Sequence, residues 1–460
     1  MTGSRTASSK KSATTTARGV ALAALMQGGF AAEDLDRELR SAELGPTDRA
    51  FATELAYGTL KMRRALVWSA SRHVSRPFES LDERLRWILL LGAYQLLYLD
   101  KVPAHSAVDE AVTLARAGGH GGIAGFANAV LRKVAADKVR PPVPTVSGGA
   151  PALGLYASLP DWIASQLIER FGFDEAMRAA NGMNGAPRRA FRWSGSGRDL
   201  ARPPRSNQPA DELRLSGVEI LENRYDIPEC LVAGGLNAFL RDAIADGLVA
   251  RQSEESQLAV HLLDPKPGEV VLDACCGRGV KTSMIADRLA GEGAVWALDD
   301  DERKLAALRE MAQHKGWKNL RVVRADARET YTAQVPAAVD AVLVDAPCSG
   351  LGVLGRRPDA RWRKREQDPA RFARVQASIV RRAAERVRPG GRLLYVTCTT
   401  TQVEDEAIVD AYLAENPAWS AADLPLAPSP WLRKIGKYAL TVPGIDGGDG
   451  FFYAFLVRNL

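Results

Sequence analysis

From Arg251 to Leu460, short apolar runs alternate with helical stretches, and most of the runs stop at an acid or a thiol. The runs are 269–272, 294–298, 320–324, 341–344, 393–396 and 451–457. Strand patterns separated by helix patterns predict a doubly wound, mostly parallel α/β sheet. In such sheets, ligands bind and chemistry happens at the C-terminal strand ends. The run 341–344 leads into Asp345-Ala346-Pro347-Cys348-Ser349-Gly350, and the run 393–396 into Thr397-Cys398-Thr399. One carboxylate and two thiols are therefore expected at neighbouring strand ends.

The run 269–272 continues as Asp273-Ala274-Cys275-Cys276-Gly277-Arg278-Gly279-Val280-Lys281-Thr282, a turn that opens a helix. Gly277 and Gly279 permit a tight turn and close ligand approach, and the helix start supplies free N–H groups. Asp299 ends the second strand, where an acid commonly binds a ribose hydroxyl pair. Asp326 ends the third and is the candidate for an adenine amino group. Cys275 and Cys276 read as packing residues. Taken alone, this turn also describes a nicotinamide-dependent oxidoreductase.

Upstream, residues 17–138 read as helix after helix: Val108, Ala111, Val112 and Ala115, and Leu81, Leu85, Ile88 and Leu89, follow helical spacing. A Pro- and Gly-containing linker, 139–155, follows, and 156–250 reads as a small α+β bridging subdomain. Residues 1–16 form a basic, Ser/Thr-rich tail expected to be disordered. A net charge of +6 favours an anionic partner. The five cysteines contain no Cys-x-x-Cys pair, which argues against a disulfide framework and a structural zinc site and suits a reducing cytoplasm. No apolar run approaches the roughly 20 residues that span a bilayer, so no membrane and no metal are expected; a monomer is the default.

Two thiols and a carboxylate beside a nucleoside-binding turn suit one chemistry well. Carbon 5 of cytosine is a poor nucleophile, but a thiolate adding to C6 turns the ring into an enamine that attacks an electrophilic methyl. A carboxylate near N3 stabilises the developing charge. A base must then remove the C5 proton before the thiolate can leave.

The motifs themselves resemble known families. Leu91-Gly92-Ala93-Tyr94-Gln95-Leu96-Leu97, Val102-Pro103, Ala107-Val108-Asp109-Glu110-Ala111 and Phe126-Ala127-Asn128-Ala129-Val130-Leu131-Arg132 resemble the NusB family of helical RNA-binding domains. Residues 251–460 resemble the S-adenosylmethionine-dependent RNA 5-methylcytosine methyltransferases of the Sun/NOL/NSUN superfamily. The carrying residues are Gln252–Gln257, Asp273-Ala274-Cys275, Lys281-Thr282, Asp299, Asp326, Asp345–Gly350, Arg357-Pro358-Asp359, Tyr395–Thr399 and Asp449–Tyr453. With the NusB-like front, the whole chain resembles the RsmB (Sun) type. That resemblance implies a Rossmann-like class I methyltransferase domain, a small-subunit ribosomal RNA substrate and S-adenosylmethionine as cofactor. It also implies Cys398 as nucleophile, Cys348 as the residue aiding release, and Asp345 facing both cofactor and base. DNA methyltransferases use the cysteine of their Pro-Cys motif instead, so exchanged thiol roles are one alternative. A non-enzymatic RNA-binding scaffold with a vestigial methyltransferase half is another.

Two features depart from or extend the pattern. The family's turn reads Cys-Ala-Ala-Pro-Gly-Gly-Lys-Thr, whereas here Arg278 replaces proline and Val280 the second glycine; a β-branched residue tolerates positive φ poorly. Residues 356–374 carry eight Lys/Arg against three Asp/Glu, with Trp362 and Phe372 interleaved. This stretch is expected to contact RNA phosphates and stack on bases.

Overall fold

The computed structural model describes residues 16–29, 31–118, 121–194, 214–331, 333–426 and 429–460. The basic tail, but for Thr16, lies outside the described residues, as do residues 195–213 of the stretch read as a bridge. The chain forms two compact units, one of residues 1–184 with Arg356–Arg363, the other of Gly185–Gly355 with Lys364–Leu460.

The first unit is helical: α1 (Ala17–Gln27), α2 (Ala31–Ser41), α3 (Pro46–Lys61), α4 (Arg63–Ser71), α5 (Glu83–Tyr98), α6 (Ala104–Ala117), α7 (Gly121–Asp137), α8 (Gly149–Tyr156), α9 (Asp161–Phe171) and α10 (Phe173–Gly182). Thr16 caps α1 by accepting the Gly19 N–H at 3.1 Å, and Asp82 caps α5 by accepting that of Leu85 at 3.1 Å. The apolar stripes face inward as their spacing requires: Leu81, Leu85, Ile88, Leu89, Val108, Ala111 and Ala115 all join one buried core. Helix α8 begins inside the stretch read as a linker, where Gly148-Gly149 starts a helix instead of breaking one. Helices α9 and α10 belong to this unit, so the segment read as a bridge divides at Asn184.

The basic stretch 356–374 behaves differently from its expectation. Arg361, in α15 (Ala360–Arg363), is fully buried in the helical unit. It donates to the Lys61 carbonyl at 3.0 Å and to Asn184 Oδ1 at 2.7 Å. Trp362 donates its indole N–H to the Leu60 carbonyl at 2.7 Å, and Arg63 lies over its ring. Arg361 and Trp362 are thus structural, because helix-end carbonyls need donors and a guanidinium supplies several in a fixed fork. Burial pushes the Arg361 guanidinium down to about 9 and the Lys61 ammonium down to about 8. Only the remainder, with Lys364 and Arg371 over the Phe372 ring, keeps the features of a phosphate-contacting surface. We expect Arg361→Met to destabilise the protein by about 2–4 kcal/mol in urea denaturation, since it leaves buried acceptors without this donor. A loss under about 0.5 kcal/mol, usual for a surface arginine, would contradict the assignment.

The second unit opens with an antiparallel sheet of order β2-β3-β1-β4, built from β1 (Arg189–Trp193), β2 (Ile220–Leu221), β3 (Cys230–Ala233) and β4 (Val249–Arg251). Helix α11 (Ala238–Ala245) packs with it. A buried arginine joins this sheet to the rest of the unit: Arg192 donates to Gln252 Oε1 at 3.0 Å, Ser283 Oγ at 2.8 Å and the Asp287 carboxylate. The main sheet contains β5 (Val270–Asp273), β6 (Ala294–Asp299), β7 (Leu320–Arg324), β8 (Val339–Asp345), β9 (Val387–Thr397), β10 (Trp419–Ala422), β11 (Arg433–Ile435), β12 (Tyr438–Leu440) and β13 (Phe452–Arg458). Its order is β11-β12-β13-β9-β8-β5-β6-β7, with β10 on β13. Neighbours from β9 to β7 run parallel; β13 joins β9 antiparallel. The intervening helices are α12 (Glu254–Leu263), α13 (Val280–Arg288), α14 (Glu302–Lys315), α16 (Asp368–Ala384) and α17 (Glu406–Glu415). Strands β9 to β7 form the parallel, Rossmann-like sheet that the alternation requires, with the wholly buried Ala341 to Val344 of β8 inside it, and β10 to β13 extend it antiparallel. Among the described residues, no helix is long and apolar enough to cross a membrane.

Candidate active site

The C-terminal ends of β5, β6, β7, β8 and β9 carry the groups singled out by the sequence. After β5, Ala274 donates its N–H to the Leu343 carbonyl at 2.9 Å and Cys276 its N–H to that of Leu298 at 2.8 Å, tying the turn to both neighbouring strands. The turn takes positive φ at Gly277 (57°) and Gly279 (83°). A Cβ at Gly279 would also meet Leu308 Cδ1 at 2.3 Å. Val280 is not among the positive-φ residues; it is the first residue of α13 and is partly exposed. The departure at this position therefore costs no backbone strain, because Gly277 and Gly279 take both left-handed positions. Burial and neighbouring carboxylates push the Cys275 and Cys276 thiols up, in keeping with packing roles.

Asp273 is buried, and its Oδ2 accepts the Thr282 hydroxyl at 2.7 Å. Its Oδ1 is buried without a hydrogen-bond partner. A buried orphan acceptor is costly, so a ligand bearing a cationic donor fits here; S-adenosylmethionine carries an ammonium. Asp299 accepts the Gly277 N–H at 3.0 Å and the Asp301 N–H at 2.9 Å, and pairs with Lys304 at 3.2 Å. The Asp326 carboxylate is engaged by the Arg328 backbone N–H at 2.9 Å and its guanidinium, so reaching an adenine amino group requires sharing that acceptor.

Burial, with the charge of Asp345 adding to it, pushes the Asp273 carboxyl up to about 7. An unfolded aspartic acid ionises near 3.9, so between these values folding takes up a proton and stability falls as pH rises. Asp273→Asn has no such proton. In urea denaturation of the cofactor-free protein, the stability of the variant relative to wild type should rise from about pH 5 to about pH 7 and level off above. A difference independent of pH would show that this carboxyl titrates normally.

At the end of β8, Asp345 Oδ2 accepts from Lys281 Nζ at 2.6 Å, and that ammonium lies 5.5 Å from the centre of the Phe451 ring. The Cys348 and Cys398 sulfurs are 3.2 Å apart. Three backbone contacts hold them there. Ala346 donates to the Val396 carbonyl at 2.9 Å, Gly352 to that of Cys398 at 3.0 Å, and Gly450 to that of Gly352 at 2.8 Å. A Cβ on Gly352 would lie 1.9 Å from the Gly450 carbonyl oxygen, so only glycine allows this approach. The hydrogen bond with Cys398, then burial, pushes the Cys348 thiol well above its usual range. The Cys348 thiol is thus favoured in its protonated form while it shares a hydrogen bond with the Cys398 sulfur.

Asp345, Cys348 and Cys398 thus meet at one sheet edge with Lys281. The sequence reading missed Glu404, which is fully buried behind both cysteines and accepts the Ser349 N–H at 2.7 Å. Its signal was present in Glu404-Asp405-Glu406, three acids between Cys398 and the apolar face of α17, since acids are rarely buried without a partner.

Comparison with known proteins gives the family. The family described as 16S rRNA methyltransferase RsmB/F matches residues 260–457, and the NusB family matches residues 15–136. Ribosomal RNA small subunit methyltransferase B of Thermus thermophilus is 33% identical over 449 residues, covering 96% of this chain and 98% of the relative. The protein of that name from Pseudomonas syringae is 30% identical over 452 residues, covering 95% of each. Among solved structures, PH0851 superposes with a TM-score of 0.77 at 24% identity, covering 96% of this chain and 98% of its own. NSun6 from Pyrococcus horikoshii gives 0.56 at 20%, covering 65% and 98%; both show the shared fold. Sequence identity of this order over nearly the whole length, on a methyltransferase sheet with a NusB domain before it, means that the chain belongs to the RsmB/F family of 16S rRNA methyltransferases.

Proposed function

We propose that the protein transfers a methyl group from S-adenosylmethionine to carbon 5 of a cytosine in small-subunit ribosomal RNA, through a covalent adduct on Cys398. The observation that carries this reading is the pair of cysteines 3.2 Å apart, at strand ends beside the Lys281–Asp345 pair. Methylation of a nitrogen or a ribose oxygen has no use for two thiols. The relatives' names supply the ribosomal RNA substrate.

In this mechanism the Cys398 sulfur bonds to C6 of the cytosine, and the C5=C6 electron pair becomes available at C5. A proton held between Asp345 and N3, with Lys281 fixing the carboxyl group, offsets the negative charge that develops toward N3. S-adenosylmethionine supplies the electrophilic methyl; Asp273, the 274–281 turn, Asp299 and Asp326 are the groups proposed to hold it. Cys348 first releases its own proton to solvent; as thiolate it then takes the C5 proton, the C5=C6 bond re-forms, and Cys398 leaves as thiolate. The base must be unpaired or flipped out to reach the sulfur. Lys364, Arg371 and Phe372 are proposed to bind the RNA around it, and the NusB domain is proposed to bind RNA in its own right.

The test is incubation of the protein with labelled S-adenosylmethionine and unmodified small-subunit RNA, free and in partly assembled subunits, followed by nucleoside analysis. The expected product is 5-methylcytidine. Label in N4-methylcytidine or in a 2′-O-methyl nucleoside would overturn the reading, and RNA binding without any label would favour the scaffold.

A further inference from the structure

Glu404 takes no part in the chemistry above, yet it has the most completely satisfied side chain around the two thiols. Its Oε1 accepts from the Ser349 N–H at 2.7 Å and from Gln376 Nε2 at 3.1 Å. Its Oε2 accepts from the hydroxyls of Ser349 and of Thr401, the latter at 2.8 Å. Gln376, on α16, also donates to the Pro347 carbonyl at 3.0 Å. Ser349 adjoins Cys348, and its hydroxyl oxygen lies 2.8 Å from that of Thr399, which adjoins Cys398. We propose that Glu404 is a positioning residue that ties the Cys348 segment to the Cys398 segment and sets the distance between the two thiols.

An ionised carboxylate only accepts, so it fixes the direction of every hydrogen bond around it. The Ser349 hydroxyl must donate to Glu404, so its oxygen is free to accept from the Thr399 hydroxyl. One acceptor thereby orders donors from both thiol-bearing segments and from α16. A glutamine of the same shape would turn an N–H toward at least one of these donors and break the set. A fully buried carboxylate with no arginine or lysine among these four donors is an expensive way to add stability, which favours a role in geometry. Its negative charge also adds to the effects that keep Cys348 protonated.

The inference rests on the reading of the two cysteines as partners in methyl transfer, and its test separates the two. Diamide, a diazene, oxidises a close thiol pair: the two S–H groups form one S–S bond, and two electrons and two protons reduce the N=N bond to a hydrazine. In the full-length wild type we expect rapid closure of a Cys348–Cys398 disulfide, read by peptide mass. In Glu404→Gln closure should be at least about 10-fold slower. Its kcat should fall about 10²-fold, the usual cost of misplacing a reacting group by about 1 Å, with KM for S-adenosylmethionine within about threefold. Closure at the wild-type rate overturns the proposal, as does a parallel loss of kcat and cofactor affinity. If Glu404→Gln fails to fold, Thr399→Val carries the test: slower closure supports the proposal, and unchanged closure overturns it. Slow closure in the variants, with no 5-methylcytidine from wild type, would sink the proposed reaction and leave the positioning role standing. Normal closure in an active 5-methylcytidine former would do the reverse.

Discussion

Cys398→Ala should bind S-adenosylmethionine within about twofold of wild type and transfer methyl at least about 10⁴-fold more slowly. The size follows from the chemistry. Without a sulfur bonded to C6, carbon 5 of cytosine has no enamine character, and loss of a covalent nucleophile commonly costs 10⁴- to 10⁶-fold. The sparing of cofactor binding follows from the fold. Cys398 ends β9, whereas the turn expected to hold the cofactor follows β5, with β8 between them. Methyl transfer by the alanine variant at a tenth of the wild-type rate would mean that the thiol roles are exchanged.

Cys348→Ala should still form the adduct and fail to resolve it, lowering turnover by about 10²- to 10⁴-fold, the range of a lost general base. The structure gives this role a physical basis. Before substrate binds, the hydrogen bond to Cys398 is the largest effect holding the proton on Cys348. Bonding of the Cys398 sulfur to C6 removes that hydrogen-bond partner, so Cys348 can release its proton to solvent and act as the base at the step that needs one. Denaturing gels of Cys348→Ala with RNA and S-adenosylmethionine should show a stable protein–RNA band absent from wild type and from the double variant lacking Cys398.

Much of this was legible in the sequence, and the exceptions have physical causes. The strand ends could be read because parallel strands buried on both faces are continuous apolar runs. Leu320–Arg324 has the bounds its pattern suggested. Strand β9 starts earlier than its apolar run: Pro389-Gly390-Gly391 reads as a breaker, yet Val387 pairs with Val339 across a register shift. The meeting of Asp345, Cys348 and Cys398 was legible from two neighbouring strand ends. Arg361 was not, because a basic stretch looks the same whether its guanidinium meets phosphate or buried carbonyls, and only the tertiary fold decides. Val280 looked like strain because the family pattern has a glycine there; the positive-φ positions fall at Gly277 and Gly279 instead. Glu404 escaped notice because its donors come from segments up to 55 residues away in the chain.

The central claim is that Cys398 bonds to a cytosine methylated at carbon 5. The most direct measurement is to trap the complex formed by Cys348→Ala, ribosomal RNA and S-adenosylmethionine. Protease and nuclease digestion then allow the cross-linked residue to be mapped by mass spectrometry. The account predicts a single linkage on the peptide containing Cys398, with the nucleotide carrying the mass of a methylated cytidine. Attachment at any other residue, or 5-methylcytidine formed with no adduct trapped, would contradict it.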